Sequence, residues 1–141
     1  MTIQHILTSY DFSPRFLAYF ASQCAKEAMT TVKDPDPRSM LAIEVAERYG
    51  NGEDFDQGYL DKVRDDAAAA SAPAATYAAT AFSAYAASFA AAYARAAYAA
   101  ATYSTAYAAK ALGKDEDYFV PLLLRLIETR LTKLEQCLIL K

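Results

Sequence analysis

Apolar residues recur at spacings of three and four along most of the chain, the repeat of a helix with one buried stripe. The first such stripe is Phe16, Leu17, Phe20, Cys24 and Ala28. It is preceded by Ser13-Pro14, where Ser13 can cap the helix N-terminus and proline fits the first helical position, so a helix is predicted to about Met29. A break follows at Lys33-Asp34-Pro35-Asp36-Pro37, because each proline disfavours the α conformation in the residue before it. Asp36 is the predicted cap of a second helix from Pro37 to Arg48 or Tyr49. This helix should face inward with Leu41, Val45, Ala42 and Ala46, and end at Gly50-Asn51-Gly52. A third helix is expected after Glu53-Asp54, carrying Phe55, Tyr59, Leu60 and Val63.

From residue 67 to 111 the pattern changes: 26 of 45 residues are alanine and the only charges are Arg95 and Lys110. Helix propensity is high throughout, but the stretch is too long for one ordinary globular helix. A start at Pro73 and an interruption near Ser88 to Ala92 are predicted, the latter without a Gly or Pro to mark it. At 100° per residue Phe82, Tyr85, Phe89, Tyr93, Tyr103 and Tyr107 fall within roughly 80° of arc, while Tyr77 and Tyr98 lie off it. The aromatic stripe is read as core whose hydroxyls reach the rim, with an interface or a small-molecule pocket as the competing readings. A last helix should open at Asp115-Glu116-Asp117, tolerate Pro121 in its first turn, and bury Leu122, Leu123, Leu126, Ile127, Leu131, Leu134 and Leu138. Arg125, Glu128, Arg130, Lys133 and Glu135 would form its wet side. The pattern therefore predicts an all-α single domain, residues 1–141, of five to six helices around a central Ala/Tyr-rich pair.

Composition sharpens this picture. With 141 residues, four Gly, no Trp and no Val/Ile runs, one helical core is expected and an all-β fold is excluded. The 28 residues from 67 to 94 carry no charge, yet Ala, Ser, Thr and Tyr are poor membrane formers, so no membrane span is expected. The N-terminus has no basic region, apolar core and small-residue cleavage site, so a cytoplasmic protein is expected. Net charge −3 with dispersed Lys and Arg excludes a phosphate-neutralising nucleic-acid surface. Residues 53–66 hold six carboxylates against Lys62 and Arg64, and within them Asp54, Asp56, Asp61, Asp65 and Asp66 are the candidate contacts for a basic protein partner.

Candidate chemistry is sparse. Cys24 and Cys137 have no metal-ligand spacing and read as reduced packing thiols. His5 is the only histidine, which removes His-based metal cages and Ser-His-Asp triads, and it reads as a surface residue near the terminus. No glycine-rich phosphate loop exists, so no metal, no cofactor and no catalytic residue is expected. Glu44 and Glu47 share a helix face as an acid–base pair would, but read as a solvated face with Glu44 pairing Arg48. Arg95 reads as a guanidinium reaching solvent from a helix edge.

The run from Asp36 to Glu53, followed by the alanine-rich region to Ala111, resembles the immunity-protein family of bacterial polymorphic toxin systems. Its Asp-x-Arg turn, Ala-Ile-Glu helix, aromatic and glycine correspond here to Asp36, Arg38, Ala42, Ile43, Glu44, Tyr49 and Gly52. Ser39 stands where that pattern has proline, and Tyr or Phe stand where it often has His. The resemblance covers about residues 34–111 and implies a small antitoxin that binds and blocks a protein toxin, often a basic nuclease. A phage-type anti-defence inhibitor working by the same binding, a homo-oligomer packing through Ala/Tyr faces, and an enzyme or sensor using the Arg38 and Glu44 region are the alternatives.

Overall fold

The computed structural model describes residues 1–72 and 78–131. These form one compact all-helical domain, and no strand occurs among the described residues. Seven α-helices are present there: α1 (Ile3–Ser9), α2 (Pro14–Met29), α3 (Pro37–Gly50), α4 (Gln57–Ser71), α5 (Ala78–Ala92), α6 (Ala97–Ala111) and α7 (Val120–Arg130), with 3₁₀ turns at Ala94–Ala96 and Glu116–Phe119. The expected count of five to six is thus low by α1. Thr2 caps that helix by accepting from the His5 amide, and Ile3, Ile6 and Leu7 are buried, so packing holds a segment too short to be stable alone. His5 itself is exposed.

Local chemistry sets the next boundaries. The Ser13 hydroxyl accepts from the Phe16 amide at 3.1 Å, and Pro14 opens α2. Asp36 accepts from the Arg38 amide at 2.8 Å, and Pro37 opens α3. Helix α3 closes on Gly52, whose φ of 99° is a left-handed value. From there Gly52 donates to the Tyr49 carbonyl and Glu53 to that of Arg48, a Schellman ending. The inward face of α3 differs from expectation by one position. Ser39, Ala42, Ile43, Val45 and Ala46 are buried, whereas Leu41 is exposed. The Ser39 hydroxyl is buried without a hydrogen-bond partner among the described residues.

Helix α4 begins at Gln57, later than expected, so Phe55 precedes it and stacks on Tyr59 with centroids 5.7 Å apart. It runs on through the first alanines to Ser71; the expected start at Pro73 lies outside the described residues, as does Tyr77. The interruption of the alanine region falls at Tyr93, which is extended (φ −129°, ψ 96°), just past the expected window. Ser83 meets Ser104 and Phe82 meets Tyr107, so α5 and α6 form an antiparallel hairpin.

Helix α5 packs against α2, α3, α4 and α6, and α2 against α3, α5 and α6, so these two helices are the hubs. Small side chains make this possible: most of the alanines of α5, together with Ala18, Ala21, Ala25 and Ala28 of α2, are buried. Cys24 is fully buried beside Thr105, and burial pushes its thiol far above the ordinary range, as for an inert packing residue. Cys137 lies outside the described residues. In α7, Leu123 and Leu126 are buried; Lys133, Leu134, Glu135 and Leu138 lie outside the described residues. Arg130 departs from the expected wet side. It lies 3.6 Å over the Tyr19 ring and donates to the Gly50 carbonyl and the Asn51 side chain. No helix among the described residues is long and apolar enough to cross a membrane.

Candidate functional site

The residues of the Asp36 to Gly52 segment act on the backbone. Asp36 accepts the Arg38 amide and, at 3.1 and 2.8 Å, two guanidinium nitrogens of Arg38, which hold its carboxyl below the usual carboxylate range. Tyr49 offers its carbonyl to Arg15 at 2.7 Å and its ring to the same guanidinium at 4.4 Å. Glu44 is exposed, and the expected Glu44–Arg48 pair does not form. Arg48 turns instead to Glu53 at 2.5 Å, because the Schellman ending brings residue 53 back against the last turn of α3. Glu47 is the engaged acid of this helix. Burial raises its pKa, but bonds from Gln23 and Lys26 outweigh that and hold it below the ordinary value.

The acidic stretch is largely neutralised by its own neighbours. Asp54 pairs with Arg15 at 2.6 Å, Asp66 with Lys62 at 2.9 Å, and Asp65 and Asp61 with Arg64 at 2.7 and 3.6 Å. Asp56 occupies the cap position of α4 without making the cap bond. Four of the five residues are thus spread over local ion pairs, and Asp56 is in none of them.

The aromatic stripe is where the structure differs most from expectation. Phe82, Tyr85, Phe89, Tyr103 and Tyr107 do come together, as their spacing implies, and Tyr93 lies beside them. They are not core. Tyr93 is 39% and Tyr103 61% exposed, and the others are half-buried. The reason is steric: Ala84, Ala87, Ala90, Ala101 and Ala108 face inward because only small side chains permit so close a helix approach, and that rotation turns the rings outward. The rings wall a groove of about 390 Å³ between α5 and α6, whose floor is Ala86, Ala96, Ala99 and Ala100. At one end it opens into a wider mouth lined by Arg64, Asp65, Tyr93 and Arg95. The floor alanines are not part of the sequence reading, and Arg64 enters it only as a counter-charge of the acidic stretch, although Ala96, Ala99, Ala100, Tyr103 and Tyr107 repeat at helical spacing.

Arg95 reaches solvent as expected, from the 3₁₀ turn between α5 and α6 rather than from an α-helix, and makes no ion pair among the described residues. Arg64 lies 4.6 Å over the Tyr93 ring. The groove offers a desolvating apolar surface and rigid rings with polar tips, with guanidinium charge at one end. No protein-family model, curated protein or solved structure matches this chain.

Proposed function

We propose that the protein is a non-enzymatic inhibitor that works by binding a protein target, in the manner of an antitoxin, and that the α5/α6 groove is its contact face. The observation that carries this reading is the aromatic stripe, turned outward on a bed of buried alanines. Tyrosine and other large aromatics dominate interface hot spots, because they bury much area at small entropic cost and keep a polar tip. Here the rings stand on a layer of buried alanines where α5 and α6 pack against each other. Asp54, Asp56, Asp61, Asp65 and Asp66 would add steering toward a basic region of the target rather than the buried contact, because all but Asp56 already have a cation beside them.

The test is affinity capture from the native host, at low and high salt, comparing the wild-type chain with Tyr103→Ser and with the pair Asp54→Asn/Asp65→Asn. A stoichiometric protein lost with Tyr103→Ser and only slowed in binding by the carboxamide pair supports the reading. Recovery of the bait alone, at a solution mass above one chain, replaces it with a self-assembling structural protein. Tyr103→Ser should leave stability within about 0.5 kcal/mol, whereas Phe20→Ala, at a fully buried position, should cost about 3–5 kcal/mol. A large loss with Tyr103→Ser would return that residue to the core.

A further inference from the structure

The groove has a direction and a charge pattern that specify what fits it. Along α6 the stripe Ala96, Ala99, Ala100, Tyr103 and Tyr107 continues to Lys110, which falls about 20° from Tyr103 around the helix. Arg95 stands at the other end, so a cation flanks each end of about 20 Å of apolar surface. Both are exposed and neither makes an ion pair among the described residues, while residues 67–111 contain no Asp or Glu. The carboxylate at the Arg95 mouth, Asp65, is held by Arg64 at 2.7 Å. In a chain of net charge −3 this face is locally positive.

We infer that the groove receives an acidic amphipathic helix of the target, about four turns long, with its apolar face on the alanine floor and carboxylates near both ends. The inference rests on the reading of α5/α6 as the contact face and adds the chemistry of the partner. An alanine floor lets a helix axis approach to about 8 Å, and the ring walls then embrace anchors spaced i, i+3/4 and i+7. A second copy of this chain fits poorly: laid antiparallel on itself, α6 would bring Arg95 of one copy to Lys110 of the other. An amphiphile with one anionic head would answer only one of the two cations.

The test is a display selection of random 16-residue peptides on the full chain, followed by fluorescence anisotropy with the labelled winners. Ala99→Arg, which fills the exposed floor, reports whether they bind in the groove. The expected winners carry apolar residues at i, i+3/4 and i+7 flanked by Asp or Glu. Arg95→Glu and Lys110→Glu should each weaken them about tenfold at low salt, and Lys at the matching peptide position should restore binding to the charge-reversed variant. Groove-dependent peptides that are basic, unpatterned or indifferent to both charge reversals overturn the inference, as does a selection that returns none. Displacement of such peptides by dodecanoate, with Arg95→Glu abolishing dodecanoate binding, gives the groove to a small amphiphile instead. Winners indifferent to Ala99→Arg sink the contact-face reading itself.

Discussion

Ser83 and Ser104 each donate a hydroxyl to the other's backbone carbonyl, at 2.8 and 2.9 Å, across the α5/α6 hairpin. Both are fully buried, and Ser104 also lies 3.2 Å from the Ala21 carbonyl of α2. Three helices therefore meet at a polar point inside an alanine layer, at a separation that admits a hydroxyl and little more.

Ser104→Ala should destabilise the fold by about 1 kcal/mol, the usual net worth of a satisfied buried hydrogen bond. Ser104→Leu should cost more, about 2–3 kcal/mol, because its extra carbons have no space between α2, α5 and α6. Urea titrations of the two variants check the order; a leucine variant as stable as the alanine one would mean the layer is looser than described.

Gly50 and Gly58 should respond oppositely to alanine. A Cβ at position 50 would sit 2.5 Å from the Tyr19 Cβ and 2.9 Å from its Cα, so α2 and α3 must separate, at a cost of about 1–3 kcal/mol. At position 58 the nearest neighbour is the Asp56 carboxylate at 3.1 Å, the mobile end of an exposed side chain. Gly58→Ala should thus stabilise by about 0.5–1 kcal/mol through helix propensity. Thermal midpoints moving in opposite directions are the expected result.

Stability should fall on the acid side as Asp36 is protonated. Its folded pKa lies below the unfolded one, so its contribution is complete above the ordinary carboxylate range and is lost as pH drops through the folded value. Asp36→Ala should cost about 1 kcal/mol at neutral pH, mostly the lost cap, and the gap to wild type should narrow in acid as the charge-dependent part is lost. A gap that persists unchanged in acid would show that the charge and its bonds to Arg38 contribute nothing.

How much was legible in advance depends on the range of the deciding interaction. Ser13-Pro14 and Asp36-Pro37 announce α2 and α3 because caps act within three residues, and the structure starts both helices there. The break at Tyr93 carries no such punctuation; Ala92 accepts from Gln57 of α4 at that point, a contact 35 residues distant in sequence. The grouping of the stripe was legible too, because spacing shows which residues share a side. Which side faces inward was not, since both sides of α5 are apolar and size, not polarity, decides between them. At Ser39 and Leu41 hydropathy misleads as well, since Ser39 is buried and Leu41 is exposed. The ion pairs that neutralise the acidic stretch could be guessed only where both partners lie on one turn, as Lys62 and Asp66 do; Arg15 reaches Asp54 from another helix.

More than half of the buried apolar residues among those described are alanine. At those alanine positions truncation removes almost nothing, since only glycine is smaller. Damage there must come from enlargement, and nearly every single amino-acid replacement enlarges. A chain of this kind drifts slowly where it is hidden and has its freedom in the rings it shows to solvent, so divergence accumulates on the surface that would choose a partner.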